Sequence, residues 1–525
     1  MRGRVAAWVA VTLLAASCSG DDGREGTPPE TRATQPAPDT TATPTTDPPS
    51  TTAAPVDDDP VPTTLPEPVE RDYSIEWEDR GGSVESGFLT VPLDYSDPFG
   101  ETIELWVVRH RADDDQRIGP LLVNNGGPGV SASGMAVNPN SWLESELVDR
   151  FDIVAWDPRG TGRSAGVDCI ADIEYDRFYA STDITPDDDA ERAALLTLAE
   201  EYAAACDEAM GDVLPHLGTT NSARDMDAIR QALGEDQVSY FGYSYGSELG
   251  GVWASLFGST VRSAVFDGAA HPDADSLDPA REQRAGFDRS LATFLAACSA
   301  DDDCVFHNEG DAETSFDALL ASIDENPVPG SDGRPPVNLE VALTGVIQAM
   351  YSDTSWPALE RALADAADGD GAGLLALRDG YFRRSDDGTY GNLLESFQMI
   401  TCADEAERRT PEEADERALE LFDPESRLFP YTTGSYTCGF LEPSAAPRAE
   451  ITGEGAGPIV VIGTTGDPTT PIESSAAMAD ALEEGVLVTV EANRHTAYRS
   501  GSCINDIVHD QLIWLEPPAE GTVCS

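Results

Sequence analysis

Residues 241–250 read FGYSYGSELG and directly follow the apolar residues VSY at 238–240. Ser244 is bracketed by Gly242 and Gly246, which gives a Gly-x-Ser-x-Gly pattern between a strand-like run and a helix-like run. A serine on such a tight turn projects its hydroxyl away from the sheet. Side chains two positions away would collide with the neighbouring strand and helix, so glycine fills both places. The stretch predicts that Ser244 is a nucleophile at the end of a β-strand.

Short apolar runs alternate with helical patterns on both sides of this serine. The runs GPLLVNNGGPG (119–129) and FDIVAWDPRGTGRS (151–164) each read as a strand that enters a glycine-rich loop, and residues 86–112 read as two strands around a turn. Residues 219–235 have the apolar spacing of a helix, with Asn221 or Ser222 as its cap. Such alternation predicts a mostly parallel sheet with helices on both faces.

The alternation of strands and helices stops near His271 and returns only near the C-terminus. Residues 275–445 show helical periodicity without strands, whereas GPIVVIGTTGDPTTP (457–471) and GVLVTVEANRHTAY (485–498) again read as strands that enter loops. We therefore expect an α/β-hydrolase fold in two parts, 71–274 and 446–525. The helical residues 275–445 form an inserted cap over the strand ends.

A serine hydroxyl needs a base and an orienting carboxylate before it becomes an effective nucleophile. In this fold the chain order is serine, acid, histidine. His495 follows a strand in a loop, whereas His509 falls inside the last predicted helix and is expected to be structural. Asp467 also follows a strand and stands 28 residues before His495, with Glu473 as the weaker alternative acid.

An acyl-transfer site also needs hydrogen-bond donors for the oxyanion. We expect the backbone N–H groups of Tyr245, next after the nucleophile, and of Gly127, in the first glycine-rich loop, to supply them. Only a glycine-rich backbone can approach the nucleophile so closely. The other glycine-rich motif, WDPRGTGRS, is interpreted as structural, with Asp157 and Arg159 bracing a loop at the edge of the site.

The N-terminus is typical of an exported protein. MRGR is basic, VAAWVAVTLLAA is a short apolar run, and small residues precede Cys18. Residues 1–18 are therefore predicted to be a signal peptide that ends at a lipobox cysteine, with ordinary cleavage nearby as the alternative. Residues 19–70 are rich in Pro, Thr and Asp, contain very few large apolar side chains and are expected to form a disordered tether.

The cysteine count and the net charge limit the chemistry and the partners. Acidic residues outnumber basic ones by 96 to 32, giving a net charge of −64, so nucleic acid and anionic lipid surfaces are not expected partners. No metal-ligand cluster, phosphate-binding loop or dinucleotide motif is visible, so neither metal nor cofactor is expected. The even number of cysteines beyond Cys18 predicts four disulfides, with sequential pairing as the simplest arrangement, most firmly for the last two: Cys169, Cys206, Cys298, Cys304, Cys402, Cys438, Cys503 and Cys524.

Several motifs together resemble the secreted actinobacterial tripeptidyl aminopeptidases, which are α/β-hydrolase serine peptidases related to prolyl iminopeptidase. They are GGPG, WDPRGTGRS, ARDMDAIRQALG, YFGYSYGS, VFDGAAHP, ITCADE, GDPTTP and RHTAYRSGSC with EGTVC. The resemblance extends from about residue 73 to the C-terminus. It implies release of short peptides from free N-termini, a helical cap, Ser244, Asp467 and His495 as the triad, and a bridge between Cys503 and Cys524. Arg494 and the pair Ser247–Glu248 depart from the usual family pattern.

An aminopeptidase must hold the ammonium group of its substrate, which calls for a carboxylate in the cap. Asp404 and Glu405 are the candidates, because a predicted disulfide at Cys402 would hold that segment. The leading hypothesis is thus an exported serine exopeptidase that is secreted or held at the extracellular face of the cell membrane by a lipid on Cys18. The alternatives are a carboxylesterase or lipase on the same scaffold, and a binding lipoprotein without turnover.

Overall fold

The computed structural model describes residues 72–525, apart from residues 114, 181–183, 187, 274–275, 332 and 431–433. The predicted signal peptide (1–18), the lipidation site Cys18 and the predicted tether (19–70) lie outside the described residues. No helix of the described part is long and apolar enough to span a membrane.

One sheet runs through the described part of the chain. It contains ten strands: β1 (Glu78–Gly81), β2 (Val84–Pro92), β3 (Thr102–His110), β4 (Gly119–Asn124), β5 (Phe151–Trp156), β6 (Val238–Tyr243), β7 (Val261–Asp267), β8 (Ile459–Thr464), β9 (Gly485–Val490) and β10 (Thr522–Cys524). Their order across the sheet is β1-β2-β3-β5-β4-β6-β7-β8-β9-β10. The pairs that involve β1, β2 or β3 are antiparallel, and all others are parallel.

Helices cover both faces of the sheet and make up most of the sequence between β7 and β8. The described residues contain α1 (Gly134–Val137), α2 (Ser145–Val148), α3 (Tyr175–Tyr179), α4 (Asp189–Met210), α5 (Thr219–Leu233), α6 (Tyr245–Leu256), α7 (Asp278–Ala300), α8 (Ala312–Glu325), α9 (Leu339–Met350), α10 (Trp356–Ala367), α11 (Ala372–Tyr381), α12 (Leu393–Asp404), α13 (Pro411–Leu421), α14 (Ile472–Ala481) and α15 (Ser502–His509). The predicted α/β-hydrolase fold, a mostly parallel sheet with an inserted helical segment, is confirmed.

The central strands are buried on both faces, as their continuous apolar runs require. In β4, Leu122 packs in one hydrophobic cluster with α5, α6 and α14, whereas Leu121 and Val123 pack in another with α1, α2 and α15. Successive side chains of a strand point to opposite faces, so one short run such as LLV supplies both layers.

The helical layer draws on two parts of the chain. Helices α7 to α13 lie within the predicted cap, 275–445. However, Tyr175, Phe178 and Tyr202, from the segment between β5 and α5, are buried in the same hydrophobic cluster as the cap helices. The sequence placed residues 71–274 wholly in the core, and this segment is the exception, because its apolar side chains pack on the cap rather than on the sheet.

Four disulfides join each cysteine to its neighbour along the chain: Cys169–Cys206, Cys298–Cys304, Cys402–Cys438 and Cys503–Cys524. This is the sequential arrangement that the sequence favoured. The bridges restrict the unfolded chain and are typical of proteins that work outside the reducing cytoplasm.

Helix α5 begins earlier than its sequence predicted. The cap residue is Gly218, and Asn221 and Ser222 lie buried inside the helix, so the predicted cap is wrong. The first helical N–H, that of Thr219, donates instead to the Asp404 carboxylate at 2.6 Å. A carboxylate 185 residues away thus replaces the local cap, which no local pattern could reveal.

The WDPRGTGRS motif holds loops together through a buried arginine. The Arg159 and Asp225 side chains are both fully buried and meet in a bidentate pair, with N···O distances of 2.8 and 2.7 Å. The remaining Arg159 N–H groups donate to the backbone carbonyls of Pro92, Leu93 and His216. Arg159 therefore ties the end of β2 to the entrance of α5.

Replacing Arg159 by methionine should lower the free energy of unfolding by about 3–5 kcal/mol, because Asp225 would keep a buried charge without its partner. Denaturant unfolding measures the loss. Arg289→Met serves as the control, since Arg289 pairs with Glu473 at the surface and such pairs contribute about 0–1 kcal/mol. Equal losses in both variants would contradict the bracing role.

Candidate active site

Ser244 occupies the turn between β6 and α6. Its backbone has φ 54° and ψ −124°, a conformation that L-residues rarely adopt and that is held in place by the packing around it. The Ser244 N–H donates to the carbonyl oxygen of Asp267, at the end of β7, at 2.8 Å. The serine is therefore fixed at the carboxyl end of the parallel strands, where ligand sites form in open α/β sheets.

The glycines around Ser244 are required by the closeness of neighbouring backbone. A Cβ at Gly242 would lie 2.3 Å from the carbonyl oxygen of Gly246, and one at Gly246 would lie 3.0 Å from the carbonyl oxygen of Asn124. A Cβ at Gly126 would lie 3.0 Å from the Ser244 Cβ. Any side chain at 242 would thus force the turn apart.

Asp467 and His495 meet at the same end of the sheet. Asp467 follows β8 and His495 follows β9, and the His495 Nδ1 lies 2.9 and 2.7 Å from the two carboxylate oxygens of Asp467. A carboxylate only accepts, so Nδ1 carries the proton. The backbone N–H groups of Thr469 and Thr470 also donate to Asp467, both at 2.9 Å. The histidine ring is thereby oriented with Nε2 as its free acceptor.

Ser244 and His495 both lie next to the end of β7. Ser244 is bonded to the Asp267 carbonyl, and a Cβ at Gly268 would lie 3.0 Å from the His495 Cε1. The His495 Nε2 is buried and has no hydrogen-bond partner among the described residues, Ser244 included. Catalytic hydrogen bonds are often long in unliganded sites and tighten when substrate binds.

Glu473 and His509 have other partners than the Asp467–His495 pair. Glu473, the second candidate acid, forms a surface ion pair with Arg289 at 3.2 Å. His509 contacts the Tyr498 hydroxyl at 3.0 Å and Glu146 at 3.5 Å. These contacts are typical of side chains with a structural role.

Asp267 is a residue of this site that sequence reasoning missed. Its carboxylate accepts the backbone N–H groups of Ala497 and Tyr498, both at 2.8 Å, and so holds the loop that carries His495. Burial raises the pKa of Asp267 to about 6. The available signal was an acidic residue at the carboxyl end of a buried strand, VRSAVFD.

The cap also holds the histidine loop. The His495 N–H donates to the carbonyl oxygen of Tyr351 at 3.0 Å, and Ser352 pairs with Arg494 in an isolated β-bridge. The Tyr351 ring stands edge-on to the His495 ring, 5.8 Å between centroids. Arg494, which departs from the family pattern, thus lies where the cap and the histidine loop pair.

The predicted oxyanion donors lie beside the serine. Gly127 and Tyr245 line the same cavity as Ser244, and Tyr245 is the first residue of α6. The glycine-rich loop is held by Asn124, whose side-chain oxygen accepts the Gly126 N–H at 2.8 Å. Both residues therefore line the cavity that contains Ser244, and their role as oxyanion donors stays a prediction.

A cavity of 580 Å³ extends from Ser244 towards the cap and has carboxylates in its wall. Asp404, at the end of α12, accepts the Thr219 N–H and, at 2.7 Å, the Thr219 hydroxyl. That hydroxyl lies 2.6 Å from the Tyr245 hydroxyl, so it accepts from the tyrosine. A hydrogen-bonded chain thus connects Asp404 to Tyr245, the residue after Ser244.

The carboxylates of this wall differ in their partners. Glu248 pairs with Arg448 at 2.8 Å, and Glu405 pairs with Arg409 at 3.0 Å. Burial and the nearby Glu248 carboxylate raise the pKa of Asp404 to about 7. Sequence reasoning noted Glu248 only as a departure from the family pattern. No cluster of metal ligands occurs within the part of the chain that the structure describes.

Comparisons with known proteins agree with this architecture. A model of the alpha/beta hydrolase fold matches residues 119–312, and a model described as TAP-like protein matches residues 431–524. The chain is 33% identical to serine protease Hip1 of Mycobacterium tuberculosis over 468 residues, 85% of this chain and 88% of that protein. It is 34% identical to carboxylesterase B of Mycobacterium tuberculosis, over 82% of this chain and 84% of that protein. It is 28% identical to the tripeptidyl aminopeptidase of Streptomyces lividans, over 86% of both chains.

Loss of the Asp267 charge should lower kcat. The carboxylate is charged above about pH 6 and takes up a proton as the pH falls through that value, which weakens its hold on the histidine loop. Asp267→Asn, which cannot accept both N–H groups equally well, should lower kcat roughly 10- to 100-fold, the effect of a small misplacement of a catalytic group. The measurement is kcat from pH 5 to 8.

Asp288→Asn is the matched control for this variant. Asp288 is a partly buried carboxylate that also accepts two backbone N–H groups, those of Arg427 and Leu428, but it lies in the cap. We expect its variant to keep the wild-type kcat and pH profile. If Asp267→Asn behaves like the control, Asp267 does not position His495.

Proposed function

This chain belongs to the TAP-like family of α/β-hydrolase serine peptidases, and on that premise we propose that it is an aminopeptidase that releases short peptides from free N-termini. The observation that carries the proposal is a single cavity lined both by Ser244 and by the carboxylates of Asp404 and Glu405. A peptide ammonium held by a carboxylate fixes how far the scissile bond lies from the N-terminus. The enzyme then acts as an exopeptidase.

Catalysis begins at Ser244. Its Oγ attacks the scissile carbonyl carbon while the His495 Nε2 takes the hydroxyl proton, and Asp467 holds the imidazole and stabilises its charged form. The backbone N–H groups of Gly127 and Tyr245 bind the oxyanion. The histidine returns the proton to the leaving amine, which leaves an acyl-enzyme on Ser244. Water attacks this ester with His495 again as the base and frees the short peptide.

Recognition of the substrate amine falls to the carboxylates of the cavity wall. Asp404 accepts one hydrogen bond on each oxygen from Thr219, and each carboxylate oxygen can accept a second. An ammonium in the cavity can therefore bind without breaking the contact that caps α5. Glu405 and Glu248 also line the cavity, each paired with an arginine.

Export is the second part of the proposal. The basic and apolar N-terminus, the cysteine at position 18 and the low-complexity residues 19–70 support a lipid-tethered or secreted enzyme. The four disulfides agree with an oxidising location.

A carboxylesterase is the second candidate function. The observation in its favour is the 34% identity to a relative named carboxylesterase B. A serine, an oriented histidine and an oxyanion site cleave esters and amides by the same steps, so the substrate must separate the two functions.

A tripeptide chromogenic amide with a free N-terminus should be hydrolysed at least ten times faster than its N-acetylated form. The reason is that acetylation removes the charge that Asp404 and Glu405 attract. The measurement compares kcat/KM for both amides and for a short-chain nitrophenyl ester. Ser244→Ala is the control and should hydrolyse none of them. Cleavage of the ester alone would replace the aminopeptidase by the carboxylesterase.

Recognition of the free amine should depend on pH through Asp404. Its raised pKa means that the carboxylate is charged above about pH 7 and loses its charge as the pH falls through that value. KM for the free-amine peptide should therefore rise below pH 7, whereas KM for the nitrophenyl ester should not. Asp404→Asn should raise the peptide KM about 10- to 100-fold, as expected for loss of a charged hydrogen bond of about 1.5–3 kcal/mol.

Glu407→Gln is the control for the Asp404 variant, because Glu407 is an exposed carboxylate that lines the same cavity. A screened surface charge contributes little, so its KM should stay close to that of the wild type. An unchanged peptide KM in Asp404→Asn would exclude Asp404 from amine binding.

A further inference from the structure

Two hydroxyl groups connect the carboxylate of Asp404 with the residue next after the nucleophile. The Thr219 hydroxyl donates to Asp404 at 2.7 Å, so its oxygen accepts the proton of the Tyr245 hydroxyl, 2.6 Å away. Both side chains are buried, and Tyr245 directly follows Ser244 as the first residue of α6. We call the hydroxyl groups of Thr219 and Tyr245 the hydroxyl relay.

Close packing holds the Asp404 end of the hydroxyl relay. The carboxylate also accepts the Thr219 N–H at 2.6 Å. A Cβ at Gly218 would lie 2.8 Å from this carboxylate and 2.8 Å from the carbonyl oxygen of Ala403, so the end of α12 lies directly against the start of α5. Tightly packed interiors transmit small displacements. A change at Asp404 is therefore passed on to Thr219.

A second connection joins Asp404 to the same helical turn. The Arg448 N–H donates to the backbone carbonyl oxygen of Asp404 at 3.2 Å, and the Arg448 side chain pairs with Glu248 at 2.8 Å. Glu248 lies in the first turn of α6, as Tyr245 does. This turn, whose first N–H is the predicted oxyanion donor, is thus connected to Asp404 at two points. Its exact position matters, because an oxyanion donor acts only at about 2.7–3.1 Å from the oxygen.

An ammonium at Asp404 fixes the direction of the hydrogen bonds in the hydroxyl relay. Burial and the nearby Glu248 carboxylate raise the pKa of Asp404 to about 7, so near neutral pH the free enzyme contains both its charged and its protonated form. A protonated carboxyl group can donate to the Thr219 oxygen and compete there with the Tyr245 hydroxyl. A nearby positive charge favours the charged form. A bound ammonium therefore keeps Tyr245 donating to Thr219 and Thr219 donating to Asp404.

We propose that the hydroxyl relay transmits the binding of the substrate ammonium at Asp404 to the Tyr245 N–H, so that the side chains of Thr219 and Tyr245 are positioning groups of the reaction. The inference rests on the proposed function, because it requires an ammonium at Asp404. It adds that the free N-terminus contributes to kcat as well as to KM. The ammonium stays on the acyl part of the substrate, so acylation and deacylation both depend on it. Binding energy from a remote part of the substrate is then used in the transition state.

Steady-state kinetics of the full chain test the proposal with a tripeptide chromogenic amide, free and N-acetylated. We expect the wild-type kcat to be about tenfold higher for the free form, the effect of a small displacement of a catalytic group. Thr219→Val removes one hydroxyl and keeps the N–H that Asp404 accepts. Tyr245→Phe removes the other and keeps the N–H next to Ser244. Each substitution should abolish the difference in kcat between the two substrates.

Three further variants separate the relay from general packing. The double variant Thr219→Val/Tyr245→Phe should lower kcat for the free substrate no further than either single change, because both break one network. Thr219→Ser keeps the hydroxyl and should keep most of the wild-type difference. Thr220→Val is the matched control. Its hydroxyl is also buried in the first turn of α5 but donates to the carbonyl oxygen of Pro447 at 2.8 Å, so the wild-type difference should persist.

The outcomes distinguish this proposal from the proposed function. If the wild type hydrolyses both forms with the same kcat/KM, amine recognition has failed and the relay fails with it. If the wild type prefers the free form through KM alone, or if Thr219→Val and Tyr245→Phe leave the kcat ratio unchanged, amine recognition stands and the relay is only structural. Titration of Ser244 with a fluorophosphonate gives kcat per active site, so lost folding is not counted as lost coupling.

Discussion

The close approach of backbones around Ser244 is the constraint on which the rest of the site depends. With a hypothetical Cβ at Gly242 only 2.3 Å from the carbonyl oxygen of Gly246, the turn has no room for side chains of its own. The acid and the base proposed to act with Ser244 must therefore be supplied from the ends of other strands. The carboxyl ends of β8 and β9 supply Asp467 and His495, because parallel strands bring their ends to one edge of the sheet.

Asp267 connects the turn that carries Ser244 with the loop that carries His495. Its carbonyl oxygen holds the Ser244 N–H, and its carboxylate holds the two N–H groups that follow the histidine loop. The same loop is bonded on its other side to Tyr351 of the cap. The orientation of His495 therefore depends on the core and on the cap together, and a shift of either changes the base relative to the nucleophile.

The sequence predicted the features that are encoded locally. Short patterns of glycine and apolar residues predict the tight turn at Ser244, the strands around it and the helical insertion. It failed where a distant residue replaces a local one: Asp404 caps α5 although Asn221 and Ser222 look like caps, and the segment around Tyr202 packs on the cap although it lies within the core sequence. Asp267 was overlooked because its role consists of backbone contacts that exist only after folding. The roles of Ser244, Asp467 and His495 in catalysis stay predictions.

The sheet and the cap supply different side chains to the site, although the cap backbone also holds the histidine loop. Ser244, Asp467 and His495 follow strand ends, whereas Asp404 and Glu405 belong to the inserted segment. Under the proposed function, substitutions at Asp404 or Glu405 would change recognition of the substrate N-terminus while the Asp467–His495 hydrogen bonds stay in place.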